Sequence, residues 1–105
     1  MVNLGNPPRE AVGHEQAFNR PCLVVQSLPT LKLAVIVPLT TKGGTSKLFS
    51  VVPVKKGTAG LNEDSFILCH QIRTVSNDRI IRHIGKMPNL DFNKVLTVLA
   101  DFLEV

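Results

Sequence analysis

The sequence predicts a mainly β fold, in which a small antiparallel barrel is followed by one C-terminal helix. Short segments rich in Val, Ile and Leu alternate with turn-forming residues, a pattern typical of an antiparallel sheet that curls into a barrel. After Pro88, apolar residues recur at helical spacing instead. The predicted strands span residues 21–26, 33–38, 48–54 and 65–72, and the turns between them span residues 27–30, 42–46 and 55–64.

The chain outside these strands has a weaker pattern. Residues 2–4 are predicted to be the remnant of a first strand, followed by a long loop over residues 5–19. A loop of that length in a compact domain usually serves as a lid or a binding loop, unless it is disordered. One helical turn is predicted over residues 76–80, with a return to strand over residues 82–87.

The C-terminal helix is predicted to begin with Asn89 or Asp91 as its cap. Its polar residues form one narrow stripe, so its apolar surface is wider than packing on a single barrel requires. We therefore expect a second buried contact, most simply with another copy of the chain, which would make the protein a homodimer. The polar stripe is Asp91, Lys94, Thr97, Asp101 and Glu104, and the apolar residues are Leu90, Val95, Leu96, Leu99, Phe102 and Leu103.

Length and composition limit the class of protein. A chain of 105 residues predicts one domain, over residues 1–105. The formal net charge of +4 favours an anionic partner, either a nucleic acid or an acidic polypeptide. With no membrane-length apolar stretch and no leader pattern, a cytoplasmic protein that binds no membrane is expected. Cys22 and Cys69 are isolated in apolar runs and are predicted to be reduced and buried, and no ligand cluster calls for a metal or cofactor.

An arginine and a threonine near predicted strand ends indicate chemistry on a phosphate. Arg20 precedes Pro21, which favours an extended backbone at position 20. Its planar guanidinium can bind two phosphate oxygens at once and stays charged at any working pH. Thr40, just after the strand that contains Pro38, offers a hydroxyl donor. RNA is the natural substrate for such a site, because its own 2′-hydroxyl can act as the nucleophile. The alternative is a surface arginine and a turn-forming threonine.

Five short motifs follow one another along the chain. They are Gly13-His14-Glu15-Gln16-Ala17, Arg20-Pro21 leading into Leu23-Val24-Val25, Val37-Pro38-Leu39-Thr40-Thr41, Asp64-Ser65, and Gln71-Ile72-Arg73-Thr74-Val75. Each motif alone is weak evidence for a family, but the order of the motifs and the intervals between them are strong evidence. With them, the sequence resembles the MazF/PemK family of toxin endoribonucleases from bacterial type II toxin–antitoxin systems, from about residue 2 to the C-terminus.

The resemblance implies an SH3-like β-barrel with a C-terminal helix, a homodimer, and an antitoxin that blocks the RNA groove. It also implies sequence-specific cleavage of single-stranded RNA without a metal, in which the 2′-hydroxyl attacks the adjacent phosphorus. The products are a 2′,3′-cyclic phosphate and a 5′-hydroxyl. Arg20 and Thr40 are then expected to be catalytic. The expected RNA-binding residues are Glu15, Gln16, Thr41, Gln71 and Arg73.

Several of these side chains have a second interpretation. Glu15 could orient the substrate or accept the 2′-hydroxyl proton, but it could equally pair with Arg20. Gln71 could contact bases or brace the groove. Arg73 could bind phosphate, or it could be a salt-bridged structural arginine.

The chain also departs from the usual family pattern. It begins late relative to the usual first strand, and the loop over residues 5–15 is a few residues longer, which leaves the RNA sequence preference open. Phe18 stands where a glycine is common, and His70 where an acidic residue is common. His14 and His70 could in principle form an acid–base pair, an arrangement that the resemblance does not support.

Two other classes of function remain at this stage. One is a non-enzymatic toxin of the same barrel type, such as a CcdB-like gyrase inhibitor that acts through its C-terminal helix. Retention of Arg20 and Thr40 argues against it. The other is a degenerate barrel that binds an antitoxin and cleaves nothing. An assay of RNA cleavage separates both from the endoribonuclease.

Overall fold

The computed structural model describes residues 11–15, 20–42 and 48–104, with the backbone alone for His14, Glu15 and Ile81. These residues form an antiparallel sheet and one helix, and the mainly β fold class is confirmed. The strands are β1 (Ala11–Glu15), β2 (Arg20–Leu28), β3 (Leu33–Thr40), β4 (Val51–Val54), β5 (Ser65–Leu68), β6 (Arg73–Ser76) and β7 (Ile80–Lys86), and the helix is α1 (Asn89–Leu103). Short 3-10 turns span Pro29–Leu31, Thr58–Gly60, Cys69–Gln71 and Asn77–Arg79.

Strand β3 is the centre of the sheet. On one edge it pairs with β2 from Cys22 opposite Pro38 to Leu28 opposite Leu33, with one irregularity near Val25. On the other edge it has two successive partners. Its first half pairs with β6, ending with Ile36 opposite Arg73, and its last two residues pair with β5. The full order is β4-β5-β3-β2-β1-β7, with β6 joined to β3.

Pro38 lies where β3 changes partner. A proline has no N–H for a strand ladder, so a central strand that contains one is locally interrupted. Between Ile36 and Leu39 the pairing passes from β6 to β5, and the Cys69–Gln71 turn carries the chain from β5 to β6 at that place.

Both faces of the central strands are buried, so the described residues enclose two apolar cores. Neighbouring residues of a strand point to opposite faces. Leu23 and Val37 therefore lie in the larger core, whereas Cys22 and Ile36 lie in the smaller one. This double burial explains why the strands are continuous apolar runs. Helix α1 covers the larger core with Phe92, Val95 and Leu99.

The Thr58–Gly60 turn lies against the β7 backbone. A Cβ added at Gly85 would overlap the carbonyl group of Ala59, and one added at Gly60 would lie 2.7 Å from the carbonyl oxygen of Ile84. Gly60 also has a φ of +80°, which favours glycine. The contact between this turn and β7 therefore depends on two glycines that allow close backbone approach.

The prediction for the N-terminal region is wrong. Ala11–Glu15 lies within the predicted loop over residues 5–19, yet it forms β1 and pairs with both β2 and β7. The strand is short, contains Gly13 and has two register shifts, and its sequence shows little alternation of apolar and polar residues. Its stability comes from burial of Ala11 and Val12 between neighbouring strands. The predicted strand at residues 2–4 lies outside the described residues.

Two predicted strands are too long. Residues 48–50 form a turn, closed by a 3.1 Å hydrogen bond from the Val51 N–H to the Leu48 carbonyl oxygen, and β4 begins only at Val51. The predicted strand over residues 65–72 ends at Leu68. Because Cys69 is buried and Ile72 packs against the larger core, the apolar pattern continues through the 3-10 turn and hides it.

The predictions for β2, β3, the turn near residue 77 and the C-terminal helix are confirmed, with shifted ends. The predicted cap is wrong, because neither Asn89 nor Asp91 caps α1. Pro88 occupies the cap position, and its carbonyl oxygen accepts from the Phe92 N–H. Asp91 lies in the first turn, where a carboxylate interacts favourably with the helix dipole. No helix among the described residues has the length and hydropathy to cross a bilayer.

Both cysteines are free thiols and buried, as predicted. Cys22 lies in the smaller core and Cys69 in the larger one. Burial raises the pKa of Cys69 from 9.0 to about 11, because the apolar surroundings disfavour the thiolate. At neutral pH Cys69 is therefore a thiol, which is a poor nucleophile.

The close contact at Gly85 gives a stability prediction. Gly85→Ala should lower the free energy of unfolding by about 2–3 kcal/mol, because the new methyl group would meet backbone that cannot rotate away. Gly57→Ala is the comparison, since Gly57 has a φ of +92° but nothing within 4 Å of an added Cβ. It should cost about 1 kcal/mol from left-handed strain alone. Urea denaturation measures both, and equal losses would contradict the proposed collision.

Candidate active site

A pocket of about 310 Å³ opens where β3 changes partner. Its lining comes from three places in the sequence: the start of β2, the proline of β3, and the chain that leaves the Cys69–Gln71 turn. The lining residues are Arg20, Pro38, Gln71, Ile72 and Arg73. The gap in strand pairing at Pro38 therefore lies beside both arginines.

Strand register brings Arg20 and Thr40 to the same face of the sheet. Cys22 lies opposite Pro38 in the β2–β3 pair. Arg20 and Thr40 each lie two residues beyond this pair, so strand alternation sets both on the same face as Cys22 and Pro38. Arg73 lies opposite Ile36, which shares a face with Pro38 and Thr40 by strand alternation. The smaller core lies on this face, and the pocket is at its end.

The pocket carries positive charge. Arg20 and Arg73 are half-buried, and the Nε of Arg73 is fully covered. None of the described lining residues is a carboxylate. A guanidinium at the edge of an apolar core attracts an anion more strongly than one surrounded by water, because the local dielectric is lower. The arrangement fits a phosphate group.

Thr40 lies beside this lining. Its side chain is half-buried, and its Oγ1 accepts a 3.2 Å hydrogen bond from the Lys42 N–H. A hydroxyl that accepts in this way keeps its own proton for donation. The backbone contact also holds the oxygen near the end of β3. Thr41, the next residue, is exposed and follows the end of the strand, and the structure does not bring it into the lining.

The other predicted site residues divide into three groups. Gln71 is exposed and lines the pocket. The Glu15 backbone lies opposite Arg20 at the end of the β1–β2 pair, and its side chain lies outside what the structure describes. Gln16 lies outside the described residues altogether. His14 likewise has only its backbone described, opposite Pro21.

His70 has a specific partner of its own. Its Nδ1 lies 2.9 Å from the Oγ of Ser50, within hydrogen-bond distance. Ser50 is buried and comes just before β4. Ser50 could not be predicted from the sequence, because a lone serine inside an apolar run has no motif. Ile72 was likewise not predicted to line the pocket. Within the described residues, no group of three or more His, Cys, Asp or Glu side chains is arranged to hold a metal ion.

Comparisons with known proteins place this geometry in context. A sequence model of the PemK-like, MazF-like toxins of type II toxin–antitoxin systems matches residues 1–103. A search of curated proteins gave no significant match.

Solved structures share the fold. An endoribonuclease from Mycobacterial species is 22% identical, with a TM-score of 0.78, and the match covers 98% of this chain and 97% of that one. An endoribonuclease from Mycobacterial species in complex with its cognate antitoxin is 22% identical, with a TM-score of 0.80 and coverage of 94% and 96%. A MazE–MazF structure from Deinococcus radiodurans is 15% identical, with a TM-score of 0.82 and coverage of 95% and 98%. Since the family model spans nearly the whole chain, the protein belongs to the PemK/MazF family of toxin endoribonucleases.

Proposed function

We propose that this protein is a sequence-specific endoribonuclease that cleaves single-stranded RNA without a metal ion. The observation that carries the proposal is the pocket in which Arg20 and Arg73 lie together, with the Thr40 hydroxyl on the same face. The chain also has a formal net charge of +4, which favours association with an RNA backbone.

The reaction uses a nucleophile that the RNA itself supplies. With the scissile phosphate in the pocket, the 2′-oxygen of the preceding ribose forms a bond to phosphorus, and the bond from phosphorus to the 5′-oxygen breaks. The 2′-hydroxyl loses its proton to a base, and the leaving 5′-oxygen gains one. Because the attacking group is already attached to the substrate, no metal-activated water is needed. The products are a 2′,3′-cyclic phosphate and a 5′-hydroxyl.

The side chains stabilise the charge that develops in this step. The phosphorane carries more negative charge than the starting phosphodiester, and Arg20 lies in the pocket to offset it. Arg73 adds a second cation and fixes the phosphate. Thr40 donates a hydrogen bond from its hydroxyl to a phosphoryl oxygen or to the leaving 5′-oxygen. Glu15, whose backbone lies opposite Arg20, is our candidate to accept the 2′-hydroxyl proton.

Base recognition is assigned to residues around the pocket. Gln71 is exposed at its rim and carries both a donor and an acceptor, as a base edge requires. Thr41 and Gln16 are proposed to contact the RNA farther from the scissile phosphate.

We also propose that the protein is a homodimer. A second groove, of about 450 Å³, runs between β4 and α1. Leu90 lines the groove and is 74% exposed, so one surface presents both an apolar side chain and an apolar recess. A two-fold dimer needs such a self-complementary surface. The groove is lined by Val51, Val52, Pro53, Leu90, Asn93, Lys94, Thr97 and Val98.

The pocket lined by Arg20 and Arg73 also provides a means by which an antitoxin could neutralise the toxin. An acidic segment of a cognate antitoxin can place carboxylates where RNA places phosphates, opposite Arg20 and Arg73. Such a complex would compete directly with RNA, and its affinity would fall as salt screens the charges.

Cleavage in excess EDTA tests the reaction type. The purified protein should cut a long RNA at a short recurrent sequence with EDTA present, and every cut should leave a cyclic phosphate and a 5′-hydroxyl. Mass spectrometry of the 3′ ends and kinase labelling of the 5′ ends identify the products. Activity that requires an added divalent metal, or 5′-phosphate products, would contradict the mechanism.

Substitutions at the pocket test the assigned side chains. Arg20→Ala should slow cleavage roughly 100- to 1,000-fold, the scale for loss of one preorganised donor. Arg20→Lys should recover only part of that loss, because it restores the charge without the planar donor pair. Thr40→Val should slow cleavage and Thr40→Ser should largely retain it.

Lys55→Ala removes an exposed cation that does not line the pocket, so it controls for net charge. Thermal unfolding must show that all variants are folded, and an Arg20→Ala protein as fast as the parent would refute the assignment.

The dimer surface is tested by charge insertion. Leu90→Asp should shift the protein toward monomer in light scattering at micromolar concentration, because it places a carboxylate in the apolar contact. Leu31→Asp is the matched control, since Leu31 is 64% exposed in the Pro29–Leu31 turn, outside the groove. A parent that is a folded, active monomer would overturn the proposed dimer, and equal effects of the two variants would overturn the proposed surface.

A further inference from the structure

Ser50 contacts two consecutive residues of the Cys69–Gln71 turn. Its carbonyl oxygen accepts a 2.9 Å hydrogen bond from the Cys69 N–H, and its Oγ lies 2.9 Å from the Nδ1 of His70. A buried hydroxyl needs a hydrogen-bond partner, and the imidazole supplies one. We call this arrangement, made of Ser50 and His70, the Ser–His clamp.

The clamp joins the chain before β4 to the wall of the pocket. Val51 lies opposite Leu68, so one residue earlier the same register sets Ser50 opposite Cys69. Gln71 ends the turn and Arg73 begins β6, and both line the pocket. A 3.3 Å hydrogen bond from the Ile72 N–H to the Cys69 carbonyl oxygen closes the turn. His70 is thus the one residue between Cys69, which is anchored, and Gln71, which lines the pocket.

Backbone bonds and the side-chain bond have different consequences here. The backbone bonds of Cys69 hold both ends of the turn, to Ser50 and to Ile72, whereas the Ser50–His70 bond fixes the middle of it, next to Gln71. Losing that bond would let His70 and Gln71 shift while the strands stay paired. A misplacement of about 1 Å that originates far from the reacting atoms can cost about 100-fold in rate.

We propose that Ser50 and His70 are positioning residues for RNA cleavage. They hold the Cys69–Gln71 turn so that Gln71 meets the bound RNA in the reactive geometry beside Arg73, which the β3–β6 pairing positions. Neither side chain contacts the reacting atoms, and the effect is transmitted through the turn. This inference rests on the proposed endoribonuclease activity.

The experiment compares the kinetics of variants of the Ser–His clamp with those of a variant that loses a buried serine hydrogen bond away from the pocket. Ser50→Ala and His70→Ala should each lower kcat for a short RNA substrate roughly tenfold, with KM changed less than about threefold. His70→Asn should recover most of that loss, because the asparagine amide can meet the Ser50 hydroxyl near the position of Nδ1. The double variant should be no slower than either single variant, since both remove the same bond.

Ser65→Ala controls for the loss of a buried serine hydrogen bond. Ser65 is as buried as Ser50, and its hydroxyl donates to the Glu63 carbonyl oxygen at 3.0 Å, outside the pocket lining. It should lower the melting temperature about as much as Ser50→Ala while leaving kcat near the parent value. A merely structural clamp would make the two serine variants equal in kcat.

The outcomes separate this inference from the proposed function. If the parent cleaves RNA and the clamp variants keep the parental kcat, or lose only affinity, the positioning role is refuted and the endoribonuclease assignment stands. If His70→Asn is as slow as His70→Ala while both remain folded, His70 does not act through Ser50 and the clamp is refuted. If the folded parent does not cleave RNA, the proposed function fails and the positioning role fails with it.

Discussion

The change of partner along one edge of β3 is the constraint on which the rest of the structure depends. Pro38 removes a backbone donor from the middle of a central strand, so a single uninterrupted neighbour would leave the ladder incomplete there. The chain instead uses β6 beside the first half of β3 and β5 beside its end, joined by the Cys69–Gln71 turn. The space left at the change of partner is the pocket that contains Arg20 and Arg73. A local gap in strand pairing thus leaves a recess lined by two arginines.

Burial on both faces of β2 and β3 explains how two arginine side chains can be fixed in the lining of this pocket. The larger core, under α1, and the smaller core, on the opposite face, give the central strands rigid positions on both sides. Arg20 is the first residue of β2 and lies on the face of the smaller core, so it is half-buried while the strand that follows it is fixed by apolar packing. Fixed donors in a partly desolvated site stabilise developing charge more than mobile surface donors do, because they need little reorganisation.

The sequence predicted most of the fold because its long elements have clear periodicity. Helix α1 and the strands around Leu23 and Ile36 follow from apolar spacing alone. β1 was missed because its stability depends on neighbours that are distant in the sequence and its own five residues do not alternate. The break at Cys69 was missed because a buried residue within a turn has the same pattern as one within a strand. At the candidate site, motif order pointed to Arg20 and Arg73, which line the pocket, whereas nothing in the sequence pointed to Ser50, whose contact with His70 appears only in the folded chain.

The site has no single structural element of its own, and this has a physical consequence. Arg20, Pro38 and Arg73 are brought together by β2, β3 and β6, so the charge arrangement exists only when the sheet has formed. The strands that position it are held by two cores, and Cys69 anchors the start of the Cys69–Gln71 turn in the larger core. The rest of the turn is less buried: His70 is half-buried and bonded to Ser50, and Gln71 is exposed. Stability is not uniform across a fold, and segments with few apolar contacts can shift without global unfolding. Loss of the Ser50–His70 bond should therefore affect this end of the turn more than global stability, since His70 and Gln71 belong to neither of the two cores.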